Sequence, residues 1–200
     1  MRAPNSLNIA GSGVKNTVQP LIGDVSLFVE TAKKEGKRII LVSLGTLAFS
    51  MDYYKSIFGE EFFEALEKLD NVAMIVRSAK YYPSVSSTFA QSWLPQQSLL
   101  ASSALSLFIS SCGNNAKIES ILHEVPLLCI PLFTDQYFNS LLVKRNHFGE
   151  MLLKEEFSHE KLVKLTSEML KNREKYLESM RAATYACLLY TSDAADDLLC

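Results

Sequence analysis

The run Ile39-Ile40-Leu41-Val42 is apolar at four successive positions, so both faces of an extended chain there must be covered. A strand half-exposed to water alternates apolar with polar residues. One that does not alternate belongs inside a parallel sheet with helices on each side. The run ends at Ser43-Leu44-Gly45-Thr46. From Asp52 to Leu69, Ile57, Phe58, Phe62, Ala65, Leu66 and Leu69 then recur at helical intervals, with Glu60, Glu61, Glu64 and Lys68 largely opposite, the pattern of an amphipathic crossover helix. A second buried strand is expected at Val72–Val76, and a third short extended stretch leads to Trp93-Leu94-Pro95. A strand at Leu105–Ser110, a helix over Asn115–His123, a strand at Leu127–Ile130 and a helix over Gln136–Asn146 continue the alternation, giving five strands. Parallel pairing with right-handed crossovers follows, hence an open α/β sheet covered on both sides. Ligands of such sheets bind at the carboxyl ends of the strands. Ser158–Leu170 and Asn172–Ala186 read as two further helices covering the sheet.

The chain has 200 residues, 48% of them hydrophobic, enough for one globular domain with a proper core. A formal net charge of −2 and no basic cluster give no footprint for nucleic acid. No stretch approaches the roughly 18 apolar residues that span a bilayer, and the first 20 residues lack the apolar core of a secretion signal. Cys112, Cys129, Cys187 and Cys200 show no metal-ligand spacing and are expected to be isolated thiols. Residues 1–20, rich in Gly, Ser, Asn and Pro in their first part, read as a linker remnant ahead of a domain over 21–186. Residues 187–200 read as a non-native tail: Leu188 to Asp197 looks like translated sequencing adapter and is set aside from fold reasoning.

Three strand ends carry the residues suited to chemistry. Trp93-Leu94-Pro95-Gln96-Gln97 sets an indole beside a proline-stiffened turn, a flat platform on which a nucleobase can stack. Ser111-Cys112-Gly113-Asn114-Asn115, between a strand and a helix, suits a diphosphate, because free backbone N–H groups and the helix dipole favour an anion there. Gly113 is expected to let the backbone approach that anion closely. Asn115 and Glu119 lie four apart and share a helix face, so the carboxylate can accept from ribose hydroxyls. Phe133-Thr134-Asp135-Gln136 brings an acid and an amide suited to sugar hydroxyls, although Asp135 could equally cap the next helix.

Together these segments resemble the donor-binding signature of the UDP-glycosyltransferase family, which opens with Trp-x-Pro-Gln, passes through His-x-Gly-x-Asn-Ser-x-x-Glu and closes with Asp-Gln. The resemblance runs from about Ile9 to Met180, and Ser43-Leu44-Gly45-Thr46 is similar to the family's Ser-x-Gly-Ser/Thr turn. It implies a Rossmann-like domain, the carboxyl-terminal half of a GT-B glycosyltransferase, in which Trp93 stacks on uracil and Gln96 helps hold the uridine. Glu119 would bind ribose, Asn115 with Thr46 would contact the diphosphate, and Asp135 with Gln136 would hold the sugar. No cofactor or metal is implied beyond the UDP-sugar itself. The acceptor, a small lipophilic hydroxyl compound, and the catalytic base would belong to an amino-terminal domain outside this chain. His123, His147 and His159 are expected at helix ends and not to replace that base. The resemblance leaves the compartment open between the cytosol and the lumenal face of the endoplasmic reticulum.

Two positions depart from the signature: Ser111 stands where the family has His, and Ala116 where it has Ser. A serine hydroxyl donates one hydrogen bond but carries no positive charge for a leaving UDP. A non-catalytic nucleotide-sugar-binding homologue is therefore the alternative to a hexose-transferring enzyme, and a generic α/β domain without a nucleotide site is a third reading.

Overall fold

The computed structural model describes residues 18–45, 57–59, 61–78, 83 and 85–196, with side chains to 184. Six parallel strands form one sheet: β1 (Arg38–Ser43), β2 (Val72–Arg77), β3 (Thr88–Gln91), β4 (Leu105–Ser110), β5 (Leu127–Cys129) and β6 (Gly149–Met151), in the spatial order β3-β2-β1-β4-β5-β6. This is the Rossmann order, in which the winding reverses between β1 and β4. The expected open α/β sheet is thus present, with one more strand than the sequence suggested. β6 escaped because Gly149-Glu150-Met151 is three residues long and carries neither alternation nor an apolar run.

α1 (Asp24–Lys34) precedes the first strand; the crossover helices are α2 (Phe62–Glu67), α3 (Gln96–Ala101), α4 (Asn114–Leu122) and α5 (Asp135–Arg145), and α6 (His159–Lys171) and α7 (Arg173–Asp196) close the chain. α1 was not anticipated, although Val25, Val29 and Ala32 are buried at intervals of four and three, the spacing of one helix face. α7 continues helically to Asp196, ten residues past the expected end at Ala186 and through most of the segment set aside as a tail. Of the crossover helix expected over Asp52–Leu69, the described part is α2 with its flanking residues, and 52–56 lie outside the described residues.

The strands bury both faces because their side chains alternate between two apolar layers. Ile40, Val42, Met74, Val76, Leu107, Ile109 and Leu128 face one layer, which α2, α6 and Tyr176 of α7 complete. Ile39, Leu41, Ala73, Ile75, Leu105, Phe108 and Leu127 face the other, covered by α1, α3 and Val143 of α5. Two cores thus flank one sheet, the arrangement that non-alternating strands require. No helix among the described residues is long and apolar enough to cross a membrane.

One expectation is corrected in the sheet. Cys112 and Cys129 are not isolated thiols; they are disulfide-bonded, with Cα atoms 5.2 Å apart. The cause is register: Ser110 at the end of β4 is the partner of Cys129 at the end of β5, so the residue two beyond Ser110 turns back against it. Sequence spacing alone cannot show a contact made across neighbouring strands.

Candidate functional site

The carboxyl ends of β1, β2 and β4 open on a cavity of about 380 Å³. Ser43 and Gly45 line it from β1, Arg77 from β2, Ser110 and Ser111 from β4, Gly113 to Ala116 from the start of α4, Asp135 from α5 and Gln96 from α3. The cavity sits where the winding of the sheet reverses, so crossover helices leave in opposite directions and a crevice opens between them.

The β4–α4 turn shows how local chemistry shapes this wall. Ser110 Oγ accepts a hydrogen bond from the Cys112 backbone N–H at 3.1 Å, tightening the turn. The left-handed residue is Cys112, with φ 65°, while Gly113 has an ordinary φ of −58°. Neither backbone conformation nor crowding within the chain requires glycine at 113: a Cβ built there meets no atom within 4 Å. No side chain caps the N-terminus of α4. Its first N–H groups, which have no partner within the helix, border the cavity.

The remaining side chains are fixed in pairs. Gln96 Nε2 donates to Glu119 Oε2 at 2.7 Å, joining the start of α3 to the second turn of α4. Asp135 does not cap α5; Thr134 holds the cap position and Asp135 is the first helical residue. Its Oδ2 accepts from Asn139 Nδ2 at 2.9 Å, and Asn139 Oδ1 accepts from Lys117 Nζ at 2.7 Å. Burial lowers the Lys117 pKa, and the nearby Asp135 charge offsets part of that effect. Gln136 is buried, and its Oε1 accepts from the backbone N–H groups of Leu132 and Phe133 at 2.9 and 3.2 Å. Whatever it offers a ligand must come from its amide nitrogen. Thr134 takes φ 51°, a conformation rare for a β-branched residue, at the rim of this wall.

The structure thus brings Gln96, Ser111, Gly113, Asn115 and Asp135 to one cavity, with Glu119 tied to Gln96 and Gln136 shaping the adjacent loop. Trp93 stands apart. It is 65% exposed and lines a separate hollow of about 260 Å³ with Pro20, Ile22, Val25 and Pro95. Thr46 lies outside the described residues. Arg77, Lys117 and Asn139 are additions that motif reading missed, while Ser43 opens the Ser43-Leu44-Gly45-Thr46 turn already matched. Arg77 could have been found by asking which polar residues end the strands. Among the described residues, no group of three or more His, Cys, Asp and Glu side chains is placed to hold a metal.

The three histidines lie at helix ends: His123 caps the carboxyl terminus of α4, His147 follows α5, and His159 opens α6 with Nε2 2.8 Å from the Phe58 carbonyl. His123 is more enclosed than expected, and its Nε2 is buried without a hydrogen-bond partner among the described residues. Burial therefore pulls its pKa below the ordinary 6.5, against a smaller opposing pull from Glu119. The unfolded chain takes up this proton first, so stability tied to neutral His123 is present above pH 6.5 and lost as the pH falls below it. Urea unfolding at several pH values should show His123→Asn losing less stability than the parent chain between pH 7 and 5. Equal losses would refute the assignment.

Comparison with known proteins gives one consistent picture. The family model described as UDP-glucoronosyl and UDP-glucosyl transferase matches residues 2–184. The chain is 29% identical over 170 residues to UDP-glycosyltransferase UGT4 of Dactylopius coccus, covering 84% of this chain and 32% of that protein. It is 36% identical over 92 residues to UDP-glucuronosyltransferase 3A1 of Bos taurus, covering 46% of this chain and 17% of that protein. The fold is similar to the crystal structure of glycosyltransferase VinC in complex with DTDP, with a TM-score of 0.64 at 12% identity, over 84% of this chain and 40% of that one. The chain spans about a third or less of the length of the curated relatives it matches.

Proposed function

This chain belongs to the UDP-glucoronosyl and UDP-glucosyl transferase family, and we propose that its cavity at the β1/β4 crevice holds the UDP moiety of a nucleotide sugar. The complete protein would transfer the hexose to a hydroxyl of a small lipophilic acceptor. The observation that carries this reading is the convergence of Ser111, Gly113, Asn115, Asp135 and Gln96, from three separate stretches of sequence, on one 380 Å³ space. The uncapped start of α4 supplies N–H donors for the diphosphate, and the Gln96–Glu119 pair supplies an acceptor for ribose hydroxyls. Asp135, held by Asn139, supplies an acceptor for the sugar.

In the complete protein a base from outside this chain would take the acceptor's hydroxyl proton. The acceptor oxygen would attack the anomeric carbon as its bond to the β-phosphate oxygen breaks, inverting that centre. UDP would leave with the negative charge, which the donors at the start of α4 stabilise. The proposed step draws only on protein donors and acceptors. A second reading, a nucleotide-sugar-binding protein without transfer, is favoured by one observation: Ser111 occupies the position of the family's histidine.

The test on this chain is a thermal shift with UDP against ADP and buffer. A ligand that binds only the folded state stabilises it by about 2.7 kcal/mol at a hundredfold excess over Kd. UDP is expected to raise Tm by several degrees and ADP far less; equal responses would remove the uridine assignment. Trp93→Ala asks whether the exposed indole swings onto the base, a contact worth roughly 1–3 kcal/mol. It should cut UDP affinity at least fivefold; unchanged affinity would leave Trp93 in its own hollow.

A further inference from the structure

Asp135 is the acid in the described lining of the cavity, and its direction is set from a neighbouring helix. Its Oδ1 accepts from Thr134 Oγ1 at 3.1 Å and its Oδ2 from Asn139 Nδ2 at 2.9 Å. An ionised carboxylate has about four lone-pair sites, so about two remain for a ligand. The other end of the Asn139 amide, Oδ1, accepts from Lys117 Nζ at 2.7 Å. The path therefore starts on α5 and ends on α4. Position 117 is one that the family signature leaves unspecified, so this link is not dictated by the motif.

The polarity of the path admits one arrangement. An ammonium only donates and an ionised carboxylate only accepts, so an amide between them must turn its oxygen to Lys117 and its nitrogen to Asp135. Hydrogen bonds with a charged partner are about twice as strong as neutral ones, and both bonds of this amide have such a partner. Asn139 is 4% exposed, so solvent is a poor substitute for the lysine. Lys117 also belongs to the first turn of α4, where its backbone N–H donates to the Gly113 carbonyl at 3.0 Å. Gly113, Asn114 and Asn115 of that turn line the cavity. The turn assigned to the diphosphate and the acid assigned to the sugar are thus joined through one lysine side chain.

We propose that Lys117 is a positioning residue for the transferred sugar: acting through Asn139, it turns Asp135 towards the hexose and couples that contact to the helix start that meets the diphosphate. The proposal rests on the UDP-sugar reading above. Lys117 is not among the residues that line the cavity, so its influence passes through Asn139. Its removal costs the hexose and spares the nucleotide. A plain tie between α4 and α5 behaves otherwise, since its loss weakens every ligand of the cavity alike.

Ligand-detected NMR titration of the chain compares UDP with UDP-glucose or UDP-glucuronate, whichever sugar nucleotide the parent binds more tightly. Lys117→Met is expected to weaken the sugar nucleotide at least fivefold while leaving UDP within twofold. Lys117→Arg, which restores a charged donor, should recover part of the loss. Asn139→Ala should show the same selective loss, and the double variant should bind no more weakly than Asn139→Ala alone, because both act along one path. Lys117→Met binding the sugar nucleotide as tightly as the parent would overturn the proposal and leave the uridine diphosphate site standing. Equal losses for both ligands, with Lys117→Arg no better than Lys117→Met, would make the lysine a structural tie and overturn the proposal as well. So would a parent that binds UDP but neither sugar nucleotide. A parent that binds none of the three would overturn the nucleotide reading and this inference together.

Discussion

Gly149→Ala is expected to destabilise the fold by more than about 3 kcal/mol, the upper range for forcing extra volume into a packed site. A Cβ at this position would lie 1.8 Å from the Leu127 carbonyl oxygen, 2.7 Å from its carbon and 2.9 Å from its nitrogen. All three are backbone atoms of the paired strand, in register as Leu127↔Gly149, so no flexible side chain can move aside. Relief requires β6 to detach from β5, which would also release Phe148 from the layer completed by Val143 of α5. Urea unfolding should show the midpoint falling sharply or the transition losing its cooperativity. A variant within 1 kcal/mol of the parent would show that β6 can shift freely and is not a fixed edge of the sheet.

Ser111→His in the complete enzyme has the largest expected effect on turnover. Ser111 is buried at the end of β4, with its Oγ against Gly45, where a Cβ would approach to 3.3 Å. One well-placed donor to a developing anion is worth about 10²–10³ in kcat. The start of α4 already offers donors to the leaving group, so the gain in kcat should be at least tenfold and below that ceiling. Strong transfer by the unchanged enzyme would eliminate the binding-only reading. Absence of transfer both with and without the histidine would favour it.

The fold was legible where burial is symmetric. Ile39 to Val42 and Leu105 to Ser110 announced buried strands because neither alternates, and the observed β4 matches its expected bounds. β6 was not legible, since three residues held by pairing with β5 carry too little side-chain pattern to betray a strand. α1 was legible in principle through Val25, Val29 and Ala32, although no helix was expected between the linker and β1. The disulfide was hidden for a different reason: its partners are 17 residues apart in sequence and meet only through sheet register.

The candidate site divides in the same way. Residues within a motif, such as Gly113, Asn115 and Asp135, could be located from local spacing because each follows its strand by a short turn. Arg77 could not, for it ends a strand that carries no motif, and its significance appears only when β2 is seen beside β1. Gln136 shows the converse limit: type and position suggested a sugar ligand, whereas its carbonyl oxygen holds the Leu132 and Phe133 amides.

The chain Lys117–Asn139–Asp135 also bears on how firmly a sugar could be gripped. Asn139 is almost wholly enclosed, and its amide is spoken for at both ends, so the carboxylate it holds has little rotational freedom left to surrender when a ligand arrives. Ordering a side chain during association costs roughly 0.5–1.5 kcal/mol. Here that ordering is completed as the protein folds, so a ligand held by Asp135 would find its acceptor already fixed.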